Sequence, residues 1–191
     1  MKPITTTAPH VIIMVGIPGA GKTTFVNHFA KIFHAPVINQ GDIAEEVGID
    51  AASAGKVADY LLNELFKSNR TLIYEGPTHT KAARTALIKK VTNAGYKPLL
   101  LWVQTESLEA KRRATKRGSN MTAADFDHAI SQFHPPTASE MPIVISGKHT
   151  YATQLKVVLK YLAAPRTAGT PPPPPQAPTT PARSGRNILI R

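Results

Sequence analysis

The sequence contains no cysteine among its 191 residues. Disulfide bonds, thiolate nucleophiles and cysteine-based metal sites are therefore excluded. Acidic residues are also scarce, since 12 Asp and Glu stand against 23 Lys and Arg and give a formal net charge of +11. Such an excess suits a protein that binds phosphates, and it also favours a polyanionic partner such as nucleic acid.

A long apolar run is missing as well. No stretch approaches the roughly 20 apolar residues that a membrane helix needs. The start of the chain, from Met1 to Thr7, lacks the apolar core of a signal peptide. We therefore expect no association with a membrane and a cytoplasmic location.

Proline is concentrated near the end of the chain. Five consecutive prolines, Pro171 to Pro175, begin a stretch that runs to Pro181 and has too few apolar residues to form a core. We predict a folded domain over residues 1–164 and a basic, disordered or polyproline-like tail over residues 165–191. The apolar triplet Ile188-Leu189-Ile190 in this tail is either a frayed end or a peptide that docks onto this protein or a protein partner.

Apolar strands alternate with amphipathic helices up to residue 162. This alternation predicts an α/β fold, in which a doubly wound parallel sheet of about five strands carries helices on both faces. The strands are expected at residues 11–15, 36–39, 71–74, 98–103 and 142–145. The main helices are expected at residues 24–33, 52–67, 81–93, 108–117, 121–133 (capped by Thr122) and 151–162.

A glycine-rich turn follows the first strand and precedes the first helix. Residues 16–24, Gly-Ile-Pro-Gly-Ala-Gly-Lys-Thr-Thr, fit the pattern G-x-x-x-x-G-K-[ST]. A strand, a glycine turn and a helix present free backbone N–H groups at a positive helix end, which holds phosphate oxygens. Lys22 would reach the β- and γ-phosphates and Thr23 would ligate Mg²⁺. The residues predicted to bind the phosphates of ATP are Gly16, Gly19, Ala20, Gly21, Lys22, Thr23 and Thr24.

Further motifs give the chain a family resemblance. Asp42 follows the second strand, Glu75 follows the third, Arg84 lies on the next helix, and a basic run covers residues 111–118. In this order and with the glycine-rich turn, they resemble the polynucleotide-kinase-like and zeta-toxin-like P-loop kinases over residues 11–162. The resemblance implies an enzyme that uses ATP and Mg²⁺ to phosphorylate an alcohol group.

Asp42 is the candidate general base that the resemblance implies. A carboxylate at the end of a strand can accept the proton of an acceptor hydroxyl. Asp42 with Glu45 also fits a helix cap with a capping box, so the residue has a structural interpretation as well. In polynucleotide kinases an arginine that binds the substrate stands three residues after this aspartate, whereas this chain has Glu45 there. That difference counts against an acceptor with a 5′-phosphate end.

Four other residues complete the implied site. Glu75 would hold Mg²⁺ through water or contact the acceptor, and Arg84 would bind the acceptor or lie on a solvated helix face. Arg113 and Arg117 lie one helical turn apart and match the mobile lid of the family, whose arginines close over the phosphates. The alternative for the lid is a solvated basic face on which Glu109 pairs with Arg113.

The identity of the acceptor stays open at this stage. A 5′-hydroxyl of nucleic acid suits the basic composition, whereas a small molecule, a sugar nucleotide or an antibiotic suits the missing arginine. A third interpretation is a regulatory ATP-binding module or ATPase that is recruited through its tail. Turnover that requires an added acceptor would separate the kinase from the ATPase.

Overall fold

The computed structural model describes residues 9–116 and 121–163. Within them a parallel sheet contains the strands β1 (His10–Val15), β2 (Val37–Asn39), β3 (Leu72–Glu75), β4 (Lys97–Gln104) and β5 (Ile143–Ser146). Their order in the sheet is β2-β3-β1-β4-β5. All five strands match the predicted ones to within one residue at each end. The parallel order brings their carboxyl ends to one edge, with β1 in the centre.

Helices cover both faces of this sheet. They are α1 (Lys22–Phe33), α2 (Gln40–Val47), α3 (Ala51–Phe66), α4 (Lys81–Asn93), α5 (Ser107–Ala114), α6 (Ala123–Ser131) and α7 (Tyr151–Ala163), with a short 3-10 helix at Ala138–Glu140. The predicted doubly wound α/β fold is therefore confirmed. The 3-10 helix was not predicted from the sequence.

The central strand explains why the sheet has two apolar cores. Every residue of β1 is buried, and successive side chains point to opposite faces. Ile12 and Met14 pack with residues of α1 and α7 on one face. Ile13 and Val15 pack with residues of α3 and α4 on the other. A strand that is buried on both sides has the continuous apolar sequence that the prediction relied on.

The helix ends also follow the local sequence. The hydroxyl of Thr122 accepts a hydrogen bond from the backbone N–H of Asp125, and the Asp125 carboxylate accepts one from the backbone of Thr122, which confirms the predicted cap of α6. Helix α5 ends at Ala114, earlier than predicted. Across residues 9–116 and 121–163, none of the helices has both the length and the apolar content to cross a bilayer. The predicted tail, residues 165–191, lies outside the described residues.

Candidate functional site

The residues predicted to act together meet at the carboxyl edge of the sheet. The glycine-rich turn connects β1 to α1, Asp42 lies in the first turn of α2, and Glu75 is the last residue of β3. Because β3 pairs with both β1 and β2, the end of β3 lies between the turn and α2. The strand register also sets Glu75 opposite Asn39. The topology therefore places the proposed phosphate site beside the two carboxylates.

The glycine-rich turn has the backbone geometry that the motif predicts. Gly21 caps α1 with a φ of 103°, and no side chain of the described residues caps this helix end. Its first N–H groups therefore point into the turn without a side-chain partner, as an anion site requires. Gly19 has a φ of 71°, and a Cβ there would collide with the carbonyl oxygen of Ala110 in α5. Only glycine fits at this position.

Lys22 extends back over the same turn. Its Nζ donates hydrogen bonds to the carbonyl oxygens of Gly16, at 2.9 Å, and Ile17, at 3.1 Å. Burial lowers the pKa of the Lys22 ammonium, while the negative charge of Glu75 opposes that shift. The ammonium is thus held within the turn by acceptors that phosphate oxygens can replace.

Thr23 and Glu75 form a pair of oxygen ligands beside the turn. The Thr23 hydroxyl donates to Oε1 of Glu75 over 2.9 Å. Glu75 is only 9% exposed, and its Oε2 has no hydrogen-bond partner among the described residues. Burial raises the pKa of Glu75. The charge of Lys22 and the hydrogen bond from Thr23 oppose this rise, whereas the negative charge of Asp42 adds to it. A hydroxyl and a carboxylate with a free oxygen are hard donors that suit Mg²⁺.

Asp42 is exposed and does not cap its helix. The cap of α2 is Asn39, whose Oδ1 accepts hydrogen bonds from the backbone N–H groups of Gly41, at 2.9 Å, and Asp42, at 3.4 Å. The interpretation of Asp42 and Glu45 as a capping box is therefore wrong. The side chain of Asp42 makes no hydrogen bond or ion pair with any described residue, and its charge raises the pKa of Glu75. Asp42, in the first turn after β2, and Glu75, at the end of the neighbouring strand β3, therefore lie at the same edge of the sheet.

The environment of Arg84 contradicts the prediction that this residue binds the acceptor. Its side chain is fully buried, and its guanidinium forms a bidentate pair with the carboxylate of Glu140 at 2.6 and 3.0 Å. It also donates to the carbonyl oxygens of Thr78, His79 and His134. With these partners the guanidinium has no free face for a substrate. Arg84 instead links the connection after β3 to the 3-10 helix through these hydrogen bonds.

We expect Arg84→Met to lower the free energy of unfolding by about 3–5 kcal/mol, the usual result of removing one partner of a buried ion pair. The variant leaves the Glu140 carboxylate, 7% exposed, without its cation. Chemical denaturation measures the loss, and Lys89→Met, an exposed change on the same helix, is the control. A loss no larger than that of the control would contradict the structural role.

The same ion pair predicts how this loss depends on pH. Burial tends to raise the pKa of Glu140, but the hydrogen bonds from Arg84 and from the Thr137 backbone outweigh it, so the pKa lies below its usual 4.5. A carboxylate whose pKa is lower in the folded protein stabilises the fold when the pH is above its pKa in the unfolded chain. This contribution is lost as the pH falls through its pKa in the folded protein. The difference between the wild type and Arg84→Met should therefore shrink below pH 4.5. If the stability difference between the two proteins did not change with pH, the Arg84–Glu140 ion pair would not be its source.

Arg113 lies in the last turn of α5, and its side chain contacts the connection after β5. Its Nε donates to Oε1 of Glu109 over 2.8 Å, as the alternative to the lid predicted, and its Nη1 donates to the carbonyl oxygen of Gly147 over 3.0 Å. Hydrogen bonds from Arg112 and Arg113 lower the pKa of Glu109 to about 2. Arg117, the second predicted lid residue, lies outside the described residues.

A cleft of about 120 Å³ opens next to the first turn of α1. It is lined by Gly21, Thr24, Phe25, Arg113, Gly147, His149, Tyr151 and Gln154. The four residues that come after β5 in this list were missed from the sequence. Their position directly after a strand end was the available signal, since ligands bind at the carboxyl ends of strands in such sheets.

Comparisons with known proteins agree with this architecture. The family described as AAA domain matches residues 11–136. The fold is similar to a gluconokinase from Sinorhizobium meliloti, with a TM-score of 0.61 and 14% identity over 81% of this chain and 92% of that one. It is also similar to the APS kinase of Mycobacterium tuberculosis in complex with AMPPNP and APS, with a TM-score of 0.67 and 14% identity over 82% and 99%.

A sugar kinase from Janibacter sp. gives a TM-score of 0.60 and 18% identity over 81% of this chain and 94% of that one. At these identities the likeness shows the fold alone, which is that of a P-loop NTPase. No match to the sequence was found among curated proteins.

Proposed function

Because this chain belongs to the AAA domain family, we propose that it is a P-loop kinase that transfers the γ-phosphate of ATP to a hydroxyl group. One observation carries the proposal. Thr23 and Glu75 are hydrogen-bonded beside the glycine-rich turn, and the exposed Asp42 lies in the first turn of α2, at the same edge of the sheet. These residues would supply a phosphate cradle, an oxygen pair for a metal and a base, and these are the parts that phosphoryl transfer requires.

The phosphates of ATP would lie in the turn of residues 16–24. The free N–H groups at the start of α1 would bind their oxygens, and the Lys22 ammonium would exchange the carbonyls of Gly16 and Ile17 for the β- and γ-phosphates. Mg²⁺ would be held by the Thr23 hydroxyl and, through water, by Glu75, and would offset charge on the same phosphates. The cleft beside Phe25 and Tyr151 is open to the rest of the nucleotide.

The acceptor would approach from the side of α2. Asp42 would take the proton of the acceptor hydroxyl while that oxygen forms a bond to the γ-phosphorus. The bond from phosphorus to the β–γ bridging oxygen breaks, and ADP leaves with that oxygen. Arg113, released from Glu109 and Gly147, and Arg117 would close over the phosphates and offset the charge that develops on them.

We also propose that the chain is related to one group of P-loop kinases. Asp42, the sequence Glu75-Gly76-Pro77 and the arginines at 113 and 117 resemble the polynucleotide-kinase-like and zeta-toxin-like kinases, and the glutamate motif favours the second group. Arg84 no longer supports the resemblance as a substrate ligand, because its guanidinium is buried against Glu140. We propose that residues 1–164 form the kinase domain and that residues 165–191 form a separate tail.

Glu75→Gln should make the protein more stable and less active. A raised pKa means that the folded protein binds the proton more tightly than the unfolded chain, so ionised Glu75 destabilises the fold above that pKa. Glutamine keeps an oxygen that can accept from Thr23 without the charge. At neutral pH we expect a higher melting temperature together with lower Mg²⁺-dependent turnover.

The gain in melting temperature should vanish as the pH falls and the wild-type carboxyl becomes protonated. A variant that is less stable than the wild type at neutral pH would contradict the assignment of Glu75 as a buried, poorly compensated carboxylate.

A transfer screen tests the proposed function. The full chain is incubated with Mg²⁺ and ATP labelled on the γ-phosphate, together with nucleosides, nucleotide sugars, amino sugars, and DNA or RNA with 5′-hydroxyl ends. Label in an organic product supports a kinase. Release of inorganic phosphate at the same rate with and without every acceptor would support the ATPase instead.

A further inference from the structure

Charge is distributed unevenly around the proposed reaction centre. The chain has 23 Lys and Arg residues, yet none stands between Lys31 and Lys56. That interval contains β2, α2 and the first turn of α3, and its charged residues are Asp42, Glu45, Glu46 and Asp50. Glu75 is the only charged residue in the stretch 71–80, which contains β3 and the connection after it. The acceptor side is therefore built from acidic segments of a basic protein.

Two of these five carboxylates have partners within the described part of the chain. Oδ1 of Asp50 caps α3 by accepting from the N–H groups of Ala52 and Ser53, and Oε1 of Glu75 accepts from the Thr23 hydroxyl. The side chains of Asp42, Glu45 and Glu46 are exposed and make no hydrogen bond or ion pair with a described residue. Residues three and four apart share one side of a helix, so all three carboxylates lie on one side of α2.

A second, independent feature indicates a ligand at this place. Oε2 of Glu75 is buried and accepts no hydrogen bond from a described residue. Buried carboxylate oxygens are rarely left without a donor. Water on a metal or a group of the acceptor itself could supply this donor.

The nearby cations leave the exposed carboxylates of α2 unpaired. Lys22 donates to the carbonyls of its own turn and its charge acts on Glu75, while Arg84 is paired with Glu140. Lys56 and Lys81 are exposed and stand at the ends of the two acidic segments. The nucleotide side is different, because Arg112, Arg113 and Lys148 surround Glu106 and Glu109 there.

From this arrangement, and resting on the proposed kinase function, we infer that the acceptor is a small hydroxyl compound with a protonated amine, such as an amino sugar or an amino alcohol. An ammonium group near α2 gains attraction from three exposed carboxylates. The phosphates that follow a nucleic-acid 5′-hydroxyl would instead be repelled. These charges act within a Debye length of about 8 Å at physiological salt, so the preference should weaken as salt is added.

The test compares matched acceptors on the full chain with Mg²⁺ and γ-labelled ATP. Each amino sugar or amino alcohol is paired with its N-acetyl form, which keeps the hydroxyls and loses the charge, and a 5′-hydroxyl oligonucleotide is included. We expect the amine to have a KM about three- to tenfold lower than its N-acetyl partner, the effect of one or two partly screened charge pairs. Equal KM values, or a preference for the oligonucleotide, would overturn the inference while leaving the kinase proposal intact.

Variants separate surface charge from other causes. The double change Glu45→Gln and Glu46→Gln should remove most of the difference between the amine and its N-acetyl form, with little change in kcat. Glu64→Gln, an exposed acidic position at the far end of α3, is the control and should preserve the difference. If the double variant also preserves it, the inference is wrong. If no acceptor receives label although ATP binds, the kinase proposal fails and the inference fails with it.

Discussion

Replacement of Lys22 by methionine is expected to lower kcat/KM for ATP by about 10²–10³-fold, the usual effect of removing one preorganised group that stabilises developing charge. The side chain keeps its length but loses the ammonium that now contacts the Gly16 and Ile17 carbonyls. Because burial already lowers the pKa of this ammonium, its removal should cost the free protein little stability. Nucleotide titration and steady-state turnover measure the loss.

The matched control for this experiment is Lys31→Met. Lys31 is exposed in the last turn of the same helix, far from the glycine-rich turn. It should bind and turn over ATP like the wild type. Wild-type turnover in Lys22→Met, with an intact fold, would show that residues 16–24 do not bind the phosphates that react.

Asp42→Asn is expected to lower phosphoryl transfer by about 10²–10⁴-fold, the usual contribution of a positioned base. ATP affinity should remain, because Asp42 is in α2 and not in the glycine-rich turn. Rapid-quench measurement of the chemical step, together with nucleotide titration, separates the two quantities.

Asn39→Ala distinguishes catalysis from helix capping at this site. Asn39 is the residue that caps α2, so its loss should lower the free energy of unfolding by about 1 kcal/mol. Asp42→Asn should leave stability unchanged. A stability loss in Asp42→Asn with an unaltered transfer rate would make Asp42 a structural residue.

The parts of the fold that were predictable are those whose signal is local. The apolar run of β1 indicated a strand buried on both faces, and Thr122 with Asp125 indicated the start of α6. The glycine-rich turn was equally clear, since its motif, its strand and its helix are contiguous in sequence. Local propensity and hydrophobic period therefore gave the five strands and the main helices.

Some residues have roles that could not be predicted because they depend on partners far away in the sequence. Arg84 is paired with Glu140, 56 positions later, through a 3-10 helix that has no periodic signal. Nothing near Arg84 distinguishes a buried arginine from one on a solvated face. The cap of α2 was misplaced for a related reason, because Asn39 and Asp42 are both good capping residues and only the end of β2 decides between them.

The composition does not say where the charges of the chain lie. A formal +11 favours a polyanionic partner when the chain is treated as a whole. The fold separates the charges, with Asp42, Glu45 and Glu46 on α2 and Arg112 and Arg113 on α5. The sign of the charge at the proposed site therefore depends on topology, which composition does not contain.

The most direct test of γ-phosphate transfer to a hydroxyl is a single-turnover reaction with enzyme in excess over γ-labelled ATP and with the best acceptor from the screen. The label found in the acceptor is compared with the ADP formed in the same samples. A P-loop kinase predicts one labelled acceptor for each ADP, and Asp42→Asn should slow both products equally. Formation of ADP with all of the label in inorganic phosphate would contradict the proposed transfer and identify the protein as an ATPase.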